Sequence, residues 1–427
     1  MRMHIFSMKG MTKKEKIRQI KDAPVLYVPL LQQIGQAALP TVSVGEKVKK
    51  YQLIGQAHKG LSANIHAPVS GVVQAIEDYP LADGTAVPTL FIKNDFKETE
   101  EERTIFRWEE LSPDEIIGLI REAGIVGEGG AQFPTSLKYT LDGKRIHTLI
   151  VNGTECEPYL TADYALMEQH TGELLEGIRI INKVLQAEQI VITLEEQNKE
   201  LVKVFAPFLP ENPLVRLQIL PNEYPQGGEL QLIQSVLGFE LPRNQLPRDR
   251  GVLVNNVGTI YSVYQAVARR IPLVSRFITL SGEESLHYGN YEVKVGTPIS
   301  HLLEELHLSA EGKILVLGGP MMGKFVEYPD ASFVKGSSGL LLFRKQVVER
   351  QNCISCGYCV EVCPMHLMPM KFEEIYRTGK FFKLEKYQLS NCIECAACEY
   401  ICPSNVPLIQ SIKEGKKKIK ELAHAIR

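Results

Sequence analysis

Two stretches decide what this chain is built around: Cys353-Ile354-Ser355-Cys356-Gly357-Tyr358-Cys359-Val360-Glu361-Val362-Cys363-Pro364, and Cys392-Ile393-Glu394-Cys395-Ala396-Ala397-Cys398-Glu399-Tyr400-Ile401-Cys402-Pro403. Each is C-x2-C-x2-C-x3-C-P. Three thiolates on one tight turn can reach three irons of a cube while the fourth cysteine points away. In proteins with two cubane clusters, that fourth cysteine ligates the other cluster. The spacing therefore predicts two [4Fe–4S] clusters, one on Cys353, Cys356, Cys359 and Cys402 and the other on Cys392, Cys395, Cys398 and Cys363. A pair of zinc sites is the alternative, but zinc ribbons carry two C-x2-C pairs rather than two such runs.

The remaining composition fits an intracellular redox protein. Of nine cysteines only Cys156 lies outside the runs, a clustering that disulfide stapling would not produce. The sequence is 44% hydrophobic and 23% charged with a net charge of −2, which argues against a nucleic-acid binder. No apolar run approaches the ~18 residues of a membrane span, and MRMHIFSMKGMTKKEK lacks the apolar core of a signal peptide. The expected location is the cytoplasm.

Length calls for several units, since 427 residues exceed one ordinary core. Residues 25–95 alternate as short strands punctuated by Gly45, Gly55 and Gly71, the pattern of a small all-β module. Its VGEKV, QLIG and APVSGVV phrases resemble biotinyl and lipoyl carrier domains. Gly60 stands where those carriers have the modified lysine and Lys59 is one residue out of register, so the module is read as structural. NDFKETEEERT reads as a linker or solvated loop. Next comes a helix with Ser112 as cap, Pro113 in its first turn, Glu115 closing a capping box and Gly124 at its end.

From there to about residue 268, strand-like HTLIVN, QIVITL, LVRLQIL and GVLVNNV alternate with helical runs, among them ADYALMEQHTGELLEGIRIINKVLQ. This predicts an α/β domain. RFITLSGE, YEVKVG, ISHLLEELHL and KILVLGGPMMG predict a small α+β unit. The segment joining the cysteine runs reads as helical, and KEGKKKIKELAHAIR as a solvated helix face rather than a docking surface for an acidic partner.

Clusters move single electrons, so a chain that also meets a two-electron carrier needs a mediator, and a flavin is the usual one. After the capped helix comes Gly124-Ile125-Val126-Gly127-Glu128-Gly129-Gly130-Ala131-Gln132-Phe133-Pro134-Thr135-Ser136-Leu137-Lys138. Adjacent glycines admit a planar ring or a phosphate, and a following lysine can neutralise the phosphate. With its flanks this loop resembles the flavin and NADH-binding subunit of respiratory complex I, and further matches follow in order: Asn152-Gly153-Thr154-Glu155-Cys156-Glu157-Pro158, Tyr224-Pro225-Gln226-Gly227-Gly228-Glu229, and Asn255-Asn256-Val257-Gly258-Thr259.

The whole order of units is similar to the RnfC-like family, the C component of Rnf electron-transport complexes. The resemblance implies a multidomain fold: a barrel-sandwich over 1–97, an FMN/NADH-binding α/β domain over 98–268, a β-grasp-like α+β domain over 269–345, and a helical two-cluster ferredoxin-like domain over 346–427. It implies a peripheral subunit on the cytoplasmic side of a membrane complex that couples electron flow between ferredoxin and NAD to ion transport. FMN would be held by Gly127, Gly129, Gly130, Lys138, Asn152, Glu155, Asn255, Asn256 and Thr259, with Phe133 and Glu229 towards NAD(H). Lys138 supplies a charge for the phosphate, the asparagines donors and acceptors, and Phe133 a stacking face. The departures from complex I are Glu128 in place of Arg, Thr154 in place of Asp and Gly228 in place of Glu. Cys156, inside a flavin motif, reads as an ordinary buried thiol.

The implied chemistry is hydride exchange between NAD(H) and flavin, then one-electron steps to the clusters, with no residue required as acid or base. Two other readings share many of these features. One is a stand-alone NADH-dependent donor to a soluble reductase of the proline-reductase-associated type; the other is a flavin-free iron–sulfur wire.

Overall fold

The structure, a computed structural model, describes residues 3–425 apart from 106, 131, 243, 244 and 284–286. Alternating apolar residues in Val25–Pro29, Ala86–Asn94 and Gly71–Pro80 build an antiparallel sheet with Lys47–Val48 at its edge. A smaller sheet of Leu39–Pro40, Leu53–Gln56 and Ile65–His66 completes the module. Leu26, Val28, Ile54, Ile65, Val73, Leu90 and Ile92 form its core.

The central unit is a parallel sheet in the order Val215–Leu220, Gln189–Glu195, Thr148–Gly153, Val252–Asn256. All four strands coincide with runs expected from the sequence. Helices Pro113–Glu122, Thr171–Leu185 and Val257–Ala268 share one core with it. Glu229–Leu237 packs through Leu232 and Ile233 against Ile150, Leu220 and Val254. The capping box at Ser112 is formed: its hydroxyl accepts from the Glu115 N–H at 3.3 Å, and the Glu115 carboxylate accepts from the Ser112 N–H at 2.7 Å. The long helix expected from residue 162 is instead two, Ala162–Gln169 and Thr171–Leu185, parted at His170. The His170 ring stacks on Phe277 at 5.8 Å and lies against Tyr261, so tertiary packing sets the break.

Residues 275–344 form a mixed sheet of Gly289–Lys294, Ser275–Gly282, Gly339–Arg344, Lys313–Leu317 and Lys324–Phe325, with helix Ile299–Glu305 packed into its core. Its outer edge is Ile17–Gln19, paired in parallel with Asn290–Glu292. The N-terminal arm thus crosses the molecule before the barrel-sandwich begins. The charged stretch read as a linker is partly tied down: Glu98 accepts from Lys50 at 2.5 Å and from Lys294 at 2.9 Å.

The C-terminal unit is helical. Short helices Tyr358–Glu361 and Ala397–Tyr400 follow equivalent cysteines, and Pro369–Arg377 and Leu408–Ala425 cover them with Phe372 and Ile412 in a core that Leu389 shares from the turn between the runs. Between the runs one helix is followed by three short 3-10 turns. The basic tail does more than face solvent, because Lys416 donates to the Cys392 carbonyl at 2.6 Å and pairs with Glu394 at 2.6 Å. Among the described residues no helix is long and apolar enough to cross a membrane.

Candidate functional site

Parallel strands collect their following loops at their carboxyl ends, where open α/β sheets bind ligands. Strand Thr148–Gly153 delivers Asn152 to Pro158, Val215–Leu220 leads to Tyr224–Glu229, and Val252–Asn256 ends on the asparagine pair. The glycine loop closes against this edge. Its hairpin is fixed by the Gly127 N–H donating to the Phe133 carbonyl at 2.8 Å and by a bridge between Val126 and Pro134. The Glu128 N–H donates to Thr259 Oγ1 at 2.9 Å. A Cβ on Gly129 would stand 3.1 Å from that of Asn256, whereas one on Gly130, at φ +116°, would point into open space. The loop is therefore tied on one side and open on the other, as a surface for a flat ring requires.

The expected polar side chains are each engaged by the protein. Lys138 Nζ pairs with Glu229 at 3.2 Å and donates to the Val254 carbonyl, so the residues assigned to phosphate and nucleotide are neighbours. Asn152 Nδ2 donates to the Gly227 carbonyl at 2.9 Å while its Oδ1 accepts from the Thr154 N–H at 3.1 Å. Asn255 Nδ2 donates to the Tyr139 hydroxyl at 2.5 Å. Asn256 caps helix Val257–Ala268 by accepting from the Gly258 N–H at 2.8 Å, and donates to Asp163 at 2.7 Å.

Glu155 lies in a buried charged group. Its Oε1 accepts from the Asp163 N–H at 2.9 Å, and Lys9 stands 3.8 Å from both Glu155 and Glu195. Burial pushes the Glu155 carboxyl up to about 8 against the pull of Lys9, and Asp163 is raised for the same reason. Glu157, which accepts from the Met321 and Met322 N–H groups, is pushed up by burial to about 7. Burial also pushes the Cys156 thiol up to about 12, and its sulfur accepts from the Gly227 N–H at 3.3 Å.

Sequence reasoning gave no role to Lys9, Asp163 and Arg276, and quoted Tyr224 only as the start of a motif. Lys9 belongs to an arm with no periodic pattern. Arg276 did leave a trace: it shares a strand face with Ile278 and Leu280, all buried, and a charge at a core-facing register position needs a partner. That partner is Glu128, so the acidic residue at the complex I arginine position is paired with a cation from another unit.

The cysteines separate into two sets. Cys353, Cys356, Cys359 and Cys402 line one hollow, and Cys363, Cys392, Cys395 and Cys398 another. The Cys359 thiol is raised by burial and then by Cys353, Cys356 and Cys402; Cys398 is raised by burial and then chiefly by Cys392, Cys395 and Cys363. The two runs also repeat a backbone pattern. Ser355 and Gly357 have φ of 57° and 87°, Glu394 and Ala396 of 57° and 59°, and His366 and Asn405, three residues past each fourth cysteine, of 53° and 49°. Left-handed residues alternating with right-handed ones turn successive N–H groups inward into an anion-binding nest, and non-glycine residues hold such φ only where the surroundings demand it. Glu394 and Leu367 N–H groups donate to Cys392 and Cys363 sulfurs at 3.4 Å. Among the described residues no group of three or more His, Cys, Asp or Glu side chains is placed to hold a metal ion; the thiols border the two hollows.

The second set abuts the flavin-type motifs. Tyr224, 1% exposed, donates its hydroxyl to the Cys395 carbonyl at 2.8 Å, and Gln231 Nε2 lies 3.3 Å from Met365 Sδ. Met3, Cys156, Tyr224 and Cys395 share one apolar cluster. The first set lies at the surface, with Cys353 and Cys356 exposed and Ile354 66% exposed between them.

Comparison with known proteins agrees with this architecture. Residues 3–97 match the RnfC barrel sandwich hybrid domain, 120–265 the Nuo51 FMN-binding domain, and 352–406 the 4Fe-4S dicluster domain. The C component of the proton-translocating ferredoxin:NAD(+) oxidoreductase complex of Clostridium ljungdahlii is 37% identical, over 87% of this chain and 84% of its own length. Its counterpart in the ion-translocating oxidoreductase complex of Rhodobacter capsulatus is 38% identical, over 97% of this chain and 81% of that one. The counterpart from Pasteurella multocida is 36% identical, and there the chain spans only half of the relative's length. Identity of this degree across more than four-fifths of two relatives places the chain in a known lineage: it belongs to the RnfC family, the C components of Rnf-type ion-translocating oxidoreductase complexes.

Proposed function

We propose that this chain is the peripheral electron-exchange subunit of an ion-translocating ferredoxin:NAD oxidoreductase complex, on the cytoplasmic side of the membrane. NADH, the other members of the complex and, directly or through them, ferredoxin are its partners. Its four units run over 1–97, 98–268, 269–345 and 346–427, the third being β-grasp-like. When bound, FMN supplies the exchange of hydride for single electrons. Gly127, Gly129 and Gly130 offer its bed, Lys138 neutralises its phosphate, and Asn152, Glu155, Asn255, Asn256 and Thr259 position it. Phe133 and Glu229 meet the nicotinamide nucleotide. Two [4Fe–4S] clusters sit on the cysteine sets described above.

The observation that carries this reading is the Tyr224 to Cys395 hydrogen bond. It joins a flavin-type loop to the second cysteine set inside one polypeptide. The Cys363/Cys392/Cys395/Cys398 set, beside the flavin-type loop, would hold the cluster nearer the flavin, and the exposed Cys353/Cys356/Cys359/Cys402 set the cluster nearer a partner; when bound, the clusters would supply one-electron transfer. Anaerobically purified chain is expected to hold noncovalent FMN with about eight iron and eight acid-labile sulfide. Stoichiometric zinc without sulfide would overturn the cluster assignment, and iron–sulfur protein unable to take up FMN would leave the wire reading.

A further inference from the structure

We propose that Arg276, on the third unit, is a positioning residue for the flavin site: by neutralising Glu128 it holds the glycine loop in its flavin-binding shape. The inference rests on the flavin reading above. Arg276 and Glu128 form an ion pair with side chains only 6% and 2% exposed. The other Glu128 oxygen accepts from the Ser262 hydroxyl, and Arg276 Nε donates to the Ser337 carbonyl at 3.1 Å. The pair rests on the first turn of helix Val257–Ala268, where a Cβ on Gly258 would stand 2.8 Å from the Glu128 carboxylate and 3.4 Å from the Arg276 guanidinium. The same turn presents Asn256 and Thr259, so the pair, the loop and the proposed flavin-binding side chains are mechanically one piece.

Taking two charges out of water is costly, and such a pair adds little net stability over well-packed apolar residues; removing one partner is far worse, because it strands the other. A pair this buried therefore makes physical sense where a loop must be held in one shape. The third unit also grips both flanks of the loop. Lys335 Nζ donates to the Gly124 carbonyl and to the Asn64 carbonyl, both at 2.7 Å. Gln132 lies over Gly336, where any Cβ would fall 1.7 Å from Gln132 Nε2. Without Arg276, Glu128 must leave its pocket or lose its charge, and the backbone from Gly127 to Gly130 moves with it.

The test uses full-length chain purified anaerobically and stripped of flavin. FMN is titrated by fluorescence quenching, with iron content and melting temperature recorded alongside. Arg276→Met is expected to weaken FMN binding by about tenfold or more with iron per chain unchanged, because Glu128 is stranded. Glu128→Gln alone strands the buried guanidinium and should also weaken FMN binding, and the double variant should recover most of either loss, since it leaves neither charge unpaired. Arg276→Lys should fall between wild type and Arg276→Met, keeping the charge but losing the fork. A merely structural arginine would show no such rescue. If Arg276→Met does not fold, the double variant decides: affinity within about threefold of wild type supports the inference, and a loss of about tenfold overturns it. Wild-type affinity in Arg276→Met, or a double variant no better than it, overturns this inference alone. Failure of wild-type chain to take up FMN overturns it together with the flavin reading.

Discussion

Tyr224 donates its hydroxyl to the carbonyl oxygen of Cys395 at 2.8 Å, and its own backbone exchanges hydrogen bonds with Met3 at 2.8 and 3.2 Å. One buried side chain thereby fixes the second cysteine run, the loop around Gly227 and the N-terminal arm relative to one another. Tyr224→Phe strands a buried carbonyl, a loss of about 1–3 kcal/mol. Flavin and iron content should stay at wild-type levels while the melting temperature falls and cluster reduction after NADH addition slows. Rapid-mixing absorbance and a thermal melt check both, and an unchanged rate would remove this bond from the proposed route.

Exchange of the fourth cysteine between runs makes a crossed prediction. Cys363→Ser should damage the cluster on Cys392, Cys395 and Cys398, and Cys402→Ser the one on Cys353, Cys356 and Cys359, each leaving about four iron per chain. Electron paramagnetic resonance of the two variants should show complementary losses. Equal loss of both signals in each would contradict the pairing.

Lys138 shares its charge with Glu229 at 3.2 Å. Lys138→Ala should lower FMN affinity by about tenfold, since a phosphate loses its cation, and flavin should then wash out on dialysis. Full retention would show the phosphate to be bound elsewhere. Phe133→Ala should raise the apparent KM for NADH with the flavin spectrum nearly unchanged.

Much of this was legible because its signals are local. Glycines, capping residues and cysteine spacing act within a few residues, and all four strands of the parallel sheet announce themselves as short apolar runs. What stayed hidden depends on distant partners. The arm from Met3 to Gln19 carries no periodicity, yet it places Lys9 between Glu155 and Glu195 and adds Ile17–Gln19 to the six-stranded sheet. The break at His170 has no proline to mark it, and the nearby Gly172 lies within the second helix. Glu128 reads in sequence only as a departure, and becomes intelligible once Arg276 is seen beside it.

Lys335 predicts a pH dependence with a definite sign. Burial lowers its amine from 10.5 to about 7, and the two carbonyls it meets match the two N–H groups of the neutral form. Nearby His66 is held near 3 by burial and by Lys335, so it stays neutral throughout this range. Between pH 7 and 10 the unfolded chain binds a proton that the folded chain does not, so this contribution rises with pH and its cost is complete below 7. Relative to Lys335→Met, wild type should gain a few kcal/mol between pH 7 and 9.5. Denaturant melts at the two pH values measure it, and a difference that does not change with pH would contradict it.

The central claim is that electrons enter as hydride at the flavin loop and leave singly through the cysteine sets. Anaerobic stopped-flow mixing of cofactor-replete chain with NADH, without membrane partners, tests it most directly. Flavin absorbance should bleach first and cluster absorbance follow, since a cluster cannot accept a hydride. Clusters reduced ahead of the flavin, or no reaction with NADH in flavin-replete protein, would contradict it.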